Sequence, residues 1–267
     1  MALANSLAFL LYLGCSAMLI RRFVQQGQTP VALSIPVGIL TILALLFHGT
    51  GIFFTMQQAG GWDVSLFATV AIATWLMAFL TFLSGAKFSV AHPGIVIYPL
   101  VALSLILQVQ VPAAAVRPIS QPALEWHILL SLAAYSLFTL AALQAIALAI
   151  QDKQLRQRHI AGLVRKLPPL QTMENTLFNL LSAGFILLTI GLITGFMFLD
   201  DIMAQHLAHK TMLSLIAWFL FAILLWGRRR YGWRGKTAVK WTLFGFTFLA
   251  LAFIGSKLIL EFLLERV

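Results

Sequence analysis

Apolar runs of about twenty residues follow one another along nearly the whole chain, separated by short polar loops. Helix rises 1.5 Å per residue, so a hydrocarbon core of roughly 30 Å takes about 20 mainly apolar residues to cross. Eight segments meet that length: 3–20, 31–56, 64–84, 93–110, 124–150, 174–198, 211–227 and 240–262. The fourth is interrupted in its first half by Pro93 and Pro99, which membrane helices tolerate when neighbours satisfy the freed carbonyl. Only 10% of the 267 residues are charged, against roughly 25% in soluble domains, so lipid must solvate much of the surface. The sequence predicts an all-α, polytopic membrane protein, a bundle of about eight transmembrane helices. It reads as one integral membrane domain over 1–267, with four spans in 1–120 and four in 121–267.

The formal charge of +10 does not imply nucleic acid, because the cations cluster in the loops between apolar runs. Alternating eight spans places Arg21, Arg22, Lys87, Lys153, Arg156, Arg158, Arg165, Lys166, Arg228, Arg229, Arg230, Arg234, Lys236 and Lys240 on one side. Only Arg117, Lys210, Lys257 and Arg266 fall on the other. The positive-inside rule then puts the first side in the cytoplasm and both termini outside. The first run lacks a basic n-region, and Arg21–Arg22 follow it, so Leu3–Ile20 reads as a retained helix rather than a cleaved signal. The charged stretch 151–173, with its Pro168–Pro169 pair, reads either as a solvated linker whose charges set topology, the plainer reading, or as a short surface segment at the headgroups that begins as an extension of the fifth helix. Trp62 and Trp126 at one face, with Trp226, Trp233 and Trp241 at the other, suit interfacial belts. In the sixth span Gly191 and Gly195 form a GxxxG pair, with Gly184 two turns earlier on nearly the same face. Such a stripe lets a second helix approach closely.

Cys15 is the single cysteine and lies inside the first apolar run, which excludes an intramolecular disulfide or a CxxC pair and makes it a packing residue. The histidines carry more information. His48 sits about 12 Å into the second span, where an ionisable residue needs a partner or a function. His127 opens the fifth span within Glu125-Trp126-His127, on the same expected side. Two imidazoles facing one another across an apolar groove can supply the axial nitrogens of a haem iron, and Arg117 and Lys210 are candidate partners for its propionates. A structural alternative for His48 is a neutral imidazole hydrogen-bonded to a neighbouring helix. Asp200, Asp201, His206 and His209 form a second polar cluster. His206 and His209 are spaced i, i+3, so a divalent metal is a weaker alternative there and a hydrated loop the plainer one. Carboxylates are nearly absent from the span interiors, with Glu261 near the end of the last, which argues against a proton-coupled transporter.

Four stretches in the second half carry a family resemblance: Trp126-His127 followed by Ser131 and Tyr135; MENTLFNLLSAGFILLTIGLITG at 173–195; LSLIAWFLFAILLWGRRRYGWRG at 213–235; and FIGSK at 253–257. From about Pro122 to Lys257 the chain resembles the cytochrome c assembly family of haem-handling membrane proteins. In length and span count it is closest to the family's YpjD-like members. The resemblance implies a multi-pass protein of the bacterial inner membrane that binds or handles haem. His127 would be the outer axial ligand and His48 a histidine within the membrane. The family's synthases and exporters carry a tryptophan-rich WWD loop, whereas the corresponding stretch here, LDDIMAQHLAHKT, contains no tryptophan. Their partner histidine near the end of the seventh span is replaced by Trp226, and GSKLILEFLLERV holds no later histidine. The expectation is therefore haem as cofactor, a role in cytochrome c assembly or haem metabolism, and no catalytic step. A cytochrome-biogenesis or haem-biosynthesis protein is the implied partner. The alternative is a membrane scaffold that keeps the fold and binds a protein partner through Gln151–Gln171.

Overall fold

A computed structural model describes residues 2–25, 34–63, 65–88, 93–110, 121–157, 167–198 and 205–255. Their regular structure is helical: α1 (Ala2–Gln25), α2 (Ile35–Ala59), α3 (Leu66–Phe88), α4 (Gly94–Gln110), α5 (Pro122–Arg156), α6 (Leu170–Phe198), α7 (Gln205–Tyr231) and α8 (Gly235–Ala250). A π-helical turn over Leu251–Gly255 follows α8. Each helix overlaps one of the eight apolar runs. The polar flanks extend several of them, most of all α5, whose 35 residues continue the helix into the charged stretch as far as Arg156. Six helices are long and apolar enough to cross a membrane, and Gly94–Leu107 is a shorter apolar stretch.

Local sequence explains the helix ends. Proline in the first turn of α2 and of α5 lacks only an N–H that would have no helical partner there. Gly60, at φ 72°, closes α2 in the left-handed conformation and returns its N–H to Gln57.

The chain divides into two compact units, Met1–Ser120 with Ala161–Pro168 and Gln121–Ile160 with Pro169–Val267. In the first unit α1 packs against α2 and α4, and α3 packs against the same two helices. Thr74 and Ser104 share a hydrogen bond of 2.9 Å between α3 and α4, and Trp75 Nε1 donates to the Leu45 carbonyl at 2.9 Å. The Trp75 ring reaches α2 because Gly49 offers no side chain; a Cβ there would stand 3.4 Å from its Nε1.

In the second unit α5 packs against α6 and α8, and α7 against α6 and α8. The glycine stripe receives another helix closely, as its spacing predicts, and the helix it receives is α5. A Cβ at Gly184 would meet the Phe138 ring at 3.2 Å, one at Gly191 the Ser131 hydroxyl at 3.4 Å, and one at Gly195 the His127 ring at 3.1 Å. Phe138 in turn stacks on Phe221 of α7, centroids 4.0 Å apart. Trp218 Nε1 donates to the Thr189 hydroxyl at 2.9 Å, joining α7 to α6.

One buried carboxylate escaped the sequence reading, which began the sixth span at residue 174. Glu174 lies in the second turn of α6 and is 2% exposed. It accepts hydrogen bonds from Arg234 Nε at 2.9 Å and from the Gly235 backbone N–H at 2.8 Å, so it caps the first turn of α8.

Replacing Gly184 with leucine should force Phe138 away and destabilise the second unit by about 1–3 kcal/mol. Gly14, which has nothing within 4 Å, should accept the same substitution with little change. Thermal melts of the two variants in detergent, followed by circular dichroism, give the comparison.

Candidate functional site

The sequence places His127 one turn into α5, and the glycine stripe of α6 brings its ring against Gly195. The ring borders a cleft of about 90 Å³ inside the second unit. From α5 the cleft is lined by His127, Ser131 and Tyr135; from α6 by Leu188, Gly191, Leu192, Gly195 and Phe196; and from α7 by Lys210, Thr211 and Ser214. The three α5 residues lie four apart on one helix face. The polar residues of α5 therefore form a stripe about 12 Å long, faced by Lys210, Thr211 and Ser214 of α7. Tyr135 and Ser214 line the cleft from α5 and α7, and the Tyr135 ring packs on Phe253 of the π-helical turn at 4.9 Å.

Thr194 gives the imidazole its orientation. Its Oγ1 lies 3.0 Å from His127 Nδ1 and 3.0 Å from each of the Ile190 and Gly191 carbonyl oxygens. A hydroxyl has one proton to donate. If it went to the imidazole, the lone pairs of Oγ1 would face two carbonyl oxygens at hydrogen-bonding distance. The arrangement that avoids this repulsion donates the hydroxyl proton to the carbonyl side and accepts Nδ1–H from His127. The imidazole is then the Nδ1–H tautomer, with its lone pair on Nε2. Fixing one ring nitrogen by a hydrogen bond so that the other can bind a metal is the usual arrangement around ligating histidines.

His48 belongs to the first unit and is fully buried. Its Nδ1 lies 3.5 Å from the Tyr12 hydroxyl, a long contact for a hydrogen bond, and its Nε2 has no partner among the described residues. Tyr12 meets the His48 ring edge-on and stacks on Tyr98 of α4 at 5.8 Å. Cys15 is buried one turn further along α1, its Sγ 3.4 Å from the Thr41 hydroxyl, which fits the packing role read from sequence. Half of the structural alternative for His48 is therefore met, through Tyr12, while one buried nitrogen stays unsatisfied.

Among the remaining sequence candidates, Lys210 lines the His127 cleft. Arg117, Asp200 and Asp201 lie outside the described residues, as does the side chain of His206. His209 is exposed on α7. No group of three His, Cys, Asp or Glu side chains converges among the described residues. Sequence reasoning missed Thr194 and Tyr12, because a threonine or tyrosine within an apolar helix gives no signal until its neighbour across the interface is known.

Polytopic helices in two four-helix units, with one buried and one half-buried imidazole in a chain otherwise poor in polar groups, define the class: a multi-pass membrane protein. Residues 3–264 match the family model described as cytochrome c assembly protein, and the chain belongs to that family. The match takes in the first unit as well as the half that carried the resemblance in sequence. The chain is similar to the inner membrane protein YpjD of Escherichia coli K12, 33% identical over 61% of this chain and 62% of that relative. It therefore spans less than two thirds of that relative's length. It is also similar to an uncharacterised protein of Azospirillum brasilense, 30% identical over 83% of this chain and 84% of the relative. The protein HemX of Brevibacillus brevis is 25% identical over 72% of this chain and 73% of its own. No solved structure matches the chain. The protein is a multi-pass protein of the bacterial inner membrane.

Thr194→Val keeps the shape and deletes the acceptor of His127 Nδ1–H. Nitrogen-15 NMR of labelled protein should show His127 as the Nδ1–H tautomer in the native chain and a shift toward Nε2–H in the valine variant. Thr194→Ser should restore the native pattern. A native spectrum dominated by Nε2–H would refute the assignment.

Proposed function

We propose that this protein binds haem in the inner membrane and serves cytochrome c assembly or haem metabolism, without a catalytic step of its own. The observation that carries the reading is His127: an imidazole at a cleft, held by Thr194 at Nδ1 and so presenting Nε2 as a ligand nitrogen. Membership of the cytochrome c assembly family supports it.

The donor set fits a haem. His127 would supply an axial nitrogen, Lys210 a cation for a propionate, and Gly191, Leu192 and Phe196 the apolar wall. Within the first unit, buried His48, whose Nε2 has no partner among the described residues, is a separate candidate nitrogen ligand. The cleft sets a condition on the fit. Its 90 Å³ is below the roughly 300 Å³ at the lower end of sites that bury a whole small ligand. The cleft as it stands would therefore not enclose a whole macrocycle. Haem bound there would contribute a redox-active iron whose potential its axial ligands tune. The chain's own part is to orient His127 through Thr194, to keep α5 and α6 close enough to hold that orientation, and to place one cation beside it. In this reading the basic loops face the cytoplasm and both termini face the periplasm, as the charge asymmetry directs.

Purified protein reconstituted with haem should show a Soret band, and His127→Ala should lower its intensity and alter its position. His48→Ala, tested separately, should do the same if His48 also ligates. Absence of any Soret band from the native protein under excess haem would defeat the reading.

A further inference from the structure

The turn between α7 and α8 holds a concentration of positive charge that the described residues do not neutralise. The last turn of α7 carries Arg228, Arg229 and Arg230; Arg234 caps α8; and Lys236 and Lys240 follow four apart on one face of α8. Two of these six cations are engaged internally. Arg234 pairs with buried Glu174. Arg228 donates from Nη1 to the Trp233 carbonyl at 3.3 Å and lies 4.6 Å over the Phe178 ring. Arg229, Arg230, Lys236 and Lys240 are exposed, and none has a partner among the described residues. Among the described residues the unit's other ion pair is Asp152 with Arg156, so that carboxylate is also committed. Counter-charge for the four must come from outside the described chain.

The turn is built to hold them in place. Gly232 at φ 66° and Gly235 at φ 51° take backbone conformations that other residues rarely adopt. Trp233 returns its N–H to the Gly227 carbonyl at 3.3 Å, and its ring lies flat over Gly227, where any Cβ would collide with it. The same ring stacks on Trp241 at 5.5 Å, and Tyr231 meets Trp226 edge-on at 5.2 Å. Trp226 and Tyr231 are 58% and 61% exposed, directly beside the free cations. Exposed tryptophan and tyrosine at the end of an apolar helix sit at the depth of lipid headgroups. The span His209–Tyr231 ends at this turn.

We propose that the α7–α8 turn binds the headgroups of anionic phospholipids, with Arg229, Arg230, Lys236 and Lys240 receiving the phosphate charge and Trp226 and Tyr231 the interface beside it. Short clusters of cations next to a membrane span recognise acidic lipids through this chemistry. The exposed aromatic pair distinguishes such a surface from one that takes a free anion from water. The site is separate from the His127 cleft, and its occupancy does not depend on haem.

The test is native mass spectrometry of the full chain, released from micelles containing equal amounts of phosphatidylglycerol and phosphatidylcholine. The native protein should retain phosphatidylglycerol in preference. The preference should fall by roughly fivefold for each cation that meets a headgroup, and be lost in the combined R229Q/R230Q/K236Q/K240Q variant. R21Q/R22Q, which removes two cations from the first unit, should keep it. Should the combined variant fail to give a native circular dichroism melt, R229Q/R230Q alone should show the partial loss. Equal retention of the two lipids by the native chain, or an undiminished preference in the variants, overturns the proposal. Displacement of phosphatidylglycerol by the same concentration of glycerol phosphate also overturns it, since the surface would then recognise a soluble phosphate.

Discussion

The close approach of α5 to α6 underlies the rest of the second unit. In lipid no hydrophobic force draws apolar helices together, so association rests on shape and on the few polar contacts available. Gly184, Gly191 and Gly195 present bare backbone along one face of α6, and Phe138, Ser131 and His127 fill it. One packing event thus has two consequences. It seats Phe138 between α6 and the Phe221 ring of α7, and it sets the His127 imidazole against the turn of α6 that carries Thr194. A looser contact would leave both the core and the orientation of the imidazole undefined.

Polar groups inside the two units follow a common economy. Threonine hydroxyls return their protons to carbonyls one turn back, as Thr41, Thr74, Thr139, Thr189 and Thr242 do, and so cost little in an apolar setting. A hydroxyl anchored in this way still has a lone pair to offer. Thr189 offers it to Trp218, and Thr194 offers it to His127. The same device that makes a membrane helix tolerate threonine therefore fixes partners on the facing helix. Glu174 solves a harder version of the problem: its charge is met by a guanidinium and a backbone N–H at the start of α8. That arrangement explains why the GWRG sequence, with its two left-handed glycines, sits where it does.

Much of this organisation was legible in the residues. The number and approximate limits of the helices follow from apolar run length, since the hydrocarbon core imposes that length on any spanning helix. The glycine stripe announced a close helix contact, and His48 and His127 stood out because imidazoles are rare in such runs. Lys210, singled out as a candidate propionate partner, lines the cleft that His127 borders. The partner faces were not legible. Nothing in the spacing of α6 says that its glycines receive α5, that Thr194 rather than a carboxylate orients His127, or that Glu174, expected at the first position of the span, is buried against Arg234. Those facts depend on which faces meet across an interface.

The sequence by itself determined that this is a helical protein of the membrane, roughly where each helix runs and on which loops its positive charge falls. Composition and run length answer to the solvent, and the solvent is the same for every helix. Only the tertiary structure decided which imidazole nitrogen of His127 faces Thr194, and which cations are paired among the described residues. Hydrogen bonds and ion pairs act over about 3 Å, and residues such as His127 and Thr194, or Glu174 and Arg234, come within that distance only once the helices have packed.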